Sequence, residues 1–304
     1  MTLFVRPFLR VVAFATMCLI ATFSQAQTQA SCSFNYFKLN PANGVDPETH
    51  PLGINSFSSV VGQAVSGVSS SVPAKGFTRF SNGAVSYFSP AGSISAELAG
   101  RNDNGASIGD YSTRAPLRTS FLLQGSNMTT IAHPNADLAL GGTLVRGINK
   151  YISIVGYYFD SHEFPHGFKR FSNGAFSTIA FPNATGTMPN AINSSGWIVG
   201  SYTDPSGGLH GFVYKNGAYA TVDYPNTTAT ELFGISDAGA VIGLDYSIEQ
   251  GRAFLYNKGV FKVISAPNSF YTHATGIAPT GLIIGEVVYN GQLSTVQGFI
   301  ATCQ

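Results

Sequence analysis

Apolar residues along this chain fall in short alternating runs, broken by clusters of Gly, Asn, Ser, Asp and Pro. Alternation at period two predicts half-buried strands, and beyond residue 26 no segment sustains the 3.6-residue period of a helix. The runs also resemble one another. A Gly-Ile-Asn-like strand start, a turn and an Ile/Val-Val/Ile-Gly strand recur six times, from Gly53, Gly100, Gly147, Ala191, Gly234 and Gly276, at spacings of 47, 47, 44, 43 and 42 residues. A period in that range marks a repeat architecture with one small sheet per repeat.

Each repeat spells four strands. The first begins at the Gly-Ile-Asn phrase, and the second is Ile154–Gly156 or Ile198–Gly200. The third opens with His166-Gly167-Phe168, His210-Gly211-Phe212 or Arg252-Ala253-Phe254. Asn82-Gly83, Asn173-Gly174 and Asn216-Gly217 then supply hairpin turns. A fourth strand runs into Pro134, Pro182, Pro225 or Pro267, and Pro suits an edge strand because it cannot donate to a ladder. Residues 35–41 read as a spare fourth strand, whereas the chain ends on a third strand, Gln297–Ile300. The expected fold is therefore all-β, a six-bladed β-propeller of four-stranded blades closed by the N-terminal strand completing the last blade. An open solenoid is the alternative, but it has no need to tie its ends together.

The ends of the chain add a compartment. Arg6 and Arg10, the apolar run 11–23 and Ser24-Gln25-Ala26 have the form of a secretory signal, giving boundaries of 1–26 signal, 27–31 linker and 32–304 propeller. Cys18 lies inside the signal, without the small-residue context of a lipoprotein site. Removing residues 1–26 leaves 14 basic against 15 acidic side chains, a formal charge of −1, with no basic cluster to recruit nucleic acid. No later segment is long and apolar enough to span a bilayer as a helix. Cys32 and Cys303 flank the spare strand and the final strand, so an exported chain would clasp its ring with that disulfide. A secreted or periplasmic location follows.

The phrase G-I-N-x-x-G-x-I-V-G-x-Y, followed by Asp and then His-Gly-Phe, resembles the bacterial extracellular repeats of the HAF family. The copy at 191–212 carries Ile192-Asn193, Gly196, Ile198-Val199-Gly200, Tyr202, Asp204 and His210-Gly211-Phe212. The resemblance covers nearly all of the exported chain, although the second copy has Arg101 and Ser107 at apolar positions. It implies export and propeller-like architecture and supplies no catalytic residues.

Candidate chemistry is sparse. Gly105-Ala106-Ser107-Ile108-Gly109 matches G-x-S-x-G but lacks the strand-turn-helix setting that a nucleophile elbow requires. His166 and His210 recur at one repeat position, where other copies have Lys75, Arg252 or Gln297, so a bond to loop backbone or a neighbouring blade is expected. Three residues before each first-strand start stand His50, Glu97, Leu144, Met188, Glu231 and His273. The four polar ones belong to consecutive blades of a closed ring, and at the channel mouth they could hold a divalent metal or act as acid and base. Tyr157, Tyr158, Phe159, Phe164, Phe270 and Tyr271 gather in loops that could offer platforms to sugars or a protein, while Trp197 is expected between blades. The sequons at Asn127, Asn183, Asn193 and Asn226 carry no weight in a bacterial-looking chain.

These features favour an exported binding or structural propeller without catalysis or cofactor, its partner an extracellular protein or a polysaccharide. The competing expectations are a metal-assisted lyase or hydrolase using His50, Glu97, Glu231 and His273, and a carbohydrate-binding propeller.

Overall fold

The computed structural model describes residues 28–40, 47–66, 73–114, 117–227, 229–289 and 296–304. The signal segment lies outside them. Six four-stranded antiparallel units form the blades of a β-propeller. Blade 1 runs from inner strand Glu48–Ile54 through Val60–Val65 and Lys75–Arg79 to outer strand Val85–Phe88. The next four repeat that order. In blade 6, Tyr271–Ile277, Ile283–Val288 and Gln297–Cys303 are completed by the N-terminal strand β2 (Cys32–Phe37), which pairs from Cys32 against Cys303 to Phe37 against Gly298. The Cys32–Cys303 disulfide locks the end of this pairing.

The segment expected as a linker contains another strand, β1 (Thr28–Gln29), parallel to the outer strand of blade 5 at Lys262–Val263. Ala30 is buried beneath it and donates its N–H to the Val263 carbonyl. An open sheet edge is a row of unpaired backbone groups. Polar residues leading into β2 therefore gain bonds by lying along it. The expectation of no long helix is also met: the described residues hold only one 3₁₀ turn, Leu138–Leu140.

One cross-strand pair accounts for most of the repeat phrase. The second-strand glycines Gly62, Gly109, Gly156, Gly200, Gly243 and Gly285 face Phe77, Phe121, Phe168, Phe212, Phe254 and Phe299 of the third strand. All six rings are fully buried. A Cβ at Gly156 would sit 2.0 Å from the Leu144 carbonyl, and one at Gly285 would sit 2.5 Å from the Phe299 ring. The Gly of Ile-Val-Gly and the Phe of His-Gly-Phe are two halves of one packing unit. Each buried ring contributes on the order of 2–3 kcal/mol of transfer free energy.

The turns between first and second strands bolt blades together. In each, residue i donates its N–H to the carbonyl of i+4, at 55–59, 102–106, 149–153, 193–197, 236–240 and 278–282. Asn55, Asn102, Asn149 and Asn193 accept from two N–H groups of their own turn through Oδ1. Through Nδ2 each donates to the next blade, at Asn102 (3.2 Å), Asn149, Asn193 and Ser236 (3.1 Å each). The chain of bonds stops at Ser236 and Ala278. There the seam relies on other groups, including Thr275 Oγ1 donating to the Pro51 carbonyl (2.6 Å). In blade 2, Arg101 and Ser107 replace the usual apolar pair and bond to each other (2.9 Å), so the degenerate copy keeps its geometry.

Two expectations follow. A cross-link spanning 271 residues removes unfolded-state freedom worth roughly 5 kcal/mol in the chain-entropy view, less any native strain. Urea unfolding of the Cys32→Ser/Cys303→Ser protein should show a loss of about 2–5 kcal/mol, and an unchanged midpoint would mean that strand pairing alone closes the ring. Asn149→Ala removes bonds to two part-buried turn N–H groups and to one buried carbonyl, so it should cost about 1–3 kcal/mol in the same assay. A loss within error would show that water replaces the bolt.

Candidate functional site

The inner strands are not regular. The Gly-Ile-Asn phrase, expected to open the first strand, closes it instead, because each such strand begins four or five residues earlier and carries a β-bulge just before the phrase, at Leu52, Ala99, Arg146, Asn190, Phe233 and Thr275. Above each bulge, the residues expected at the channel mouth pair directly with the residue after the second-strand Gly. His50 faces Gln63, Glu97 faces Asp110, Glu231 faces Leu244 and His273 faces Glu286. The mouth thus has two ranks of side chains. The second rank, with Asp110 and Glu286, was missed from sequence. Its signal was the position after each Ile/Val-Gly, which varies while its neighbours repeat.

The four sequence candidates divide into three groups. His50 and His273 meet through Glu286: His50 Nδ1 lies 2.7 Å from Glu286 Oε2, and His273 Nδ1 lies 3.6 Å from Oε1. His50 Nε2 also contacts Glu48 Oε2 (3.2 Å). Tyr271 donates its hydroxyl to Glu286 Oε1 (3.4 Å), and the Phe233 ring lies edge-on to His273. Glu97 stands in a second group, with Arg146 Nη1 at 3.3 Å and Arg118 Nη1 at 3.9 Å. Arg146 also reaches Asp110 Oδ2 at 3.7 Å. Glu231 forms the third, accepting from Asn190 Nδ2 (2.9 Å) and the Tyr246 hydroxyl (3.1 Å). Bulge residues Arg146, Asn190 and Phe233 each make one of these contacts across a blade boundary, because a bulge re-aims its side chain.

The other candidates are structural parts. Ser107 is buried with Arg101 on its Oγ, inside a strand. His166 and His210 bind neither loop backbone nor another blade. Each pairs with the Asp of its own repeat phrase, Asp160 (2.9 Å) or Asp204 (3.2 Å), and His210 also holds Asp223 (2.7 Å). Asp160 and Asp204 use Oδ1 to close the loop before the third strand, accepting from His162 and Phe164 or from Ser206 and Gly208. The Asp…His-Gly-Phe phrase is therefore a loop clasp. Of the aromatics expected in loops, Tyr157, Tyr158 and Phe159 extend the second strand of blade 3 and Tyr271 opens the first strand of blade 6. Tyr158 stacks on His133 and His166, Tyr157 abuts Phe159, and Phe164 and Phe270 are exposed. Trp197 packs among blade 4 and blade 5 residues as expected.

Open volume is unevenly placed. The channel space lined by the bulges and the Asn bolts encloses about 90 Å³, room for a few waters at about 30 Å³ each. One hollow of about 410 Å³ lies between blades 5 and 6, against Arg252 and Tyr271, and two more, of about 330 and 410 Å³, flank Arg118 over blades 2 and 3. The walls of the latter two include Ser95, Glu97, Asp110, Tyr111, Arg146 and Phe159. Asp110 is buried, accepts from Ser120 through Oδ1, and leaves Oδ2 without a hydrogen bond. Burial pushes its carboxyl up, against the pull of Arg146, to about 6.

Searched by sequence, the chain matches no protein-family model and no curated protein. Its fold is similar to several solved propellers. A gluconolactonase of Xanthomonas campestris is 6% identical, with 90% of each chain covered and a TM-score of 0.51. TolB of Acinetobacter baumannii is 9% identical over 82% of this chain and 65% of that one, at 0.54. The SapL1 lectin, solved with α-methyl fucoside, is 11% identical over 84% and 95%, at 0.53. At such identities the similarity establishes the six-bladed fold.

The His50–Glu286 pair spans the closing seam, so its protonation bears on closure. Burial works to raise the Glu286 carboxyl, yet the His273 and His50 hydrogen bonds outweigh it and hold it at about 2. Burial works to lower His50, and its bonds to Glu286 and Glu48 outweigh that, leaving it above its ordinary 6.5. The His50 contribution is complete below pH 6.5 and fades as pH rises through the raised value; that of Glu286 is complete above 4.5 and fades toward 2. The melting-temperature gap between wild type and His50→Gln should therefore be widest between pH 4.5 and 6.5 and shrink by pH 9. A gap constant with pH would show that the pair carries no charge.

Proposed function

We propose that this chain is an exported propeller related to the HAF repeats, secreted or periplasmic, acting as a non-catalytic binding module for a polysaccharide. One observation carries the reading. The candidate acids and bases at the mouth are engaged in three separate clusters, while open volume lies beside them, including the hollow of about 330 Å³ against Arg118 on blade 2. That hollow combines a half-exposed guanidinium (Arg118), a buried carboxylate oxygen lacking a hydrogen bond (Asp110) and the flank of Tyr111. Donors and acceptors beside an aromatic ring suit the hydroxyls and faces of sugars. A lectin solved with a fucoside among the structural neighbours is in keeping with this.

The second reading is a metal-assisted lyase or hydrolase at Glu48, His50, His273 and Glu286. It is favoured by the His273 Nε2, buried without a hydrogen-bond partner. Against it, no three His, Cys, Asp or Glu side chains among the described residues are placed to hold an ion together. A metal would have to displace the His50–Glu286 bond. Stoichiometric metal in the purified protein, with stability lost on chelation, would favour this reading over the first.

The binding reading is tested by retardation of the protein in gels containing soluble polysaccharides. At least one should retain the wild type, and Arg118→Ala should weaken retention roughly tenfold or more, as expected for loss of a charged hydrogen bond. Because Arg118 is 47% exposed, its removal should leave the unfolding midpoint in place. No retention on any polysaccharide, or retention indifferent to Arg118, overturns the proposal.

A further inference from the structure

The face opposite the mouth has a different character. It is built from the turns between first and second strands and from the hairpins between third and fourth strands. Every one of the former is a five-residue turn with the same backbone bond, so nothing projects far beyond its neighbours. The longer connections all lie on the mouth face.

Charge is segregated between the two faces, which the near-neutral formal total conceals. On the flat face stand Arg101, Lys150, Lys169, Arg170, Lys215 and Lys258, against Asp103 and Asp237 alone. Both of these carboxylates are engaged, Asp103 by the Ser56 N–H and Asp237 by the Ser194 N–H (2.8 Å each). Every other described Asp or Glu side chain lies toward the mouth face. Aromatic rings accompany the cations. Lys150 Nζ lies 5.0 Å from the Tyr151 ring, Lys169 5.0 Å from Phe171, Lys215 3.8 Å from Trp197, and the Arg101 guanidinium 6.0 Å from Phe80. Phe57 and Tyr151, at the tips of their turns, are 65% and 61% exposed.

We propose that this flat face docks peripherally on an anionic phospholipid surface. Charge complementarity selects an anionic partner, and three observations select a planar one. The face lacks the long loops that would wall a groove for a polymer. The cations sit over ring faces, where stacked sugars would have to lie. The two most exposed rings, Phe57 and Tyr151, stand on turn tips of a face rich in cations, with Lys150 against Tyr151, in the arrangement of interfacial anchors: apolar tips for the headgroup boundary and cations for its phosphates. This inference concerns the opposite face and does not rest on the polysaccharide reading.

The test uses flotation of the purified protein with vesicles of phosphatidylcholine alone or mixed with phosphatidylglycerol. Binding is expected only to the mixed vesicles and should fall in high salt, as surface charge is screened. Lys150→Glu should weaken it roughly fivefold or more. Lys75→Glu makes the same change of net charge on the mouth face and should leave it within about twofold. Phe57→Ser/Tyr151→Ser should weaken it without altering salt sensitivity. All these side chains lie in turns or at strand ends, and unchanged unfolding midpoints will certify the folds. Trp197, the one tryptophan, lies on the docking face, and brominated lipid should quench it. The proposal is overturned by equal binding to neutral vesicles, by equal loss in Lys150→Glu and Lys75→Glu, or by vesicle binding without Trp197 quenching. It is also overturned if alginate binds in a Lys150-dependent manner while vesicles do not.

Discussion

A four-stranded sheet that is apolar on both faces has no stable existence by itself; each blade must lie between two others, and the last must meet the first. Closure is the constraint on which the rest depends. It explains why the N-terminal strand β2 is spent on blade 6 rather than on a blade of its own, and why the disulfide sits where first and last strands pair. It also explains the residue economy inside each blade. Blades taper toward the axis, and the Gly of the second strand lets the inner-strand backbone and a buried Phe ring crowd the same point. Substituting either partner would alter the wedge angle, and in a ring the error is shared by every neighbour.

The same constraint divides labour between the faces. On one, short turns with Asn bolts tie blades 1 to 5 in sequence through buried hydrogen bonds. A polar network is cohesive only when its members are satisfied, and each Asn here uses both ends of its amide. On the other face, a Thr at the first or second position of an inner strand (Thr49, Thr143, Thr187, Thr230 and Thr272) accepts from backbone just beyond an outer strand. Those clamps fix where each loop begins and leave the loops themselves free to differ. Ligand chemistry has room there.

Much of this was legible in the chain because the repeat states the demands of the backbone directly. Gly where a Cβ would strike a carbonyl, Asn before a five-residue turn and Pro past an edge strand are local necessities, and six copies make them plain. What was hidden required a partner to be known. A bulge is two residues against one, so it cannot be seen in a single strand; hence Arg146, Asn190 and Phe233 were not recognised as channel residues. The His of His-Gly-Phe was placed correctly at the start of its strand, but the Asp six residues before it was read as part of the phrase, and a phrase does not say which of its side chains face one another. The four mouth candidates were found at one height of the ring, yet height does not specify direction. β1 was unreadable because two polar residues bear no apolar pattern; they pair by backbone alone.

The fate of those four residues follows from ring geometry. A side chain at a given height on an inner strand sees its counterparts on both neighbouring blades closer than anything in solvent. A charge placed there is half desolvated, and it is stable only with a partner. The partners come from next door: Glu97 from Arg146 of blade 3, Glu231 from Asn190 of blade 4, His50 from Glu286 of blade 6. Convergence at the axis therefore produces adhesion between blades before it produces a reactive site. A group free to meet a ligand must stand farther out, where the neighbouring blade no longer reaches it. Arg118 satisfies that condition. It lies on the third strand of blade 2, touches Glu97 only at 3.9 Å and keeps nearly half its surface open. It borders two of the larger hollows at the mouth.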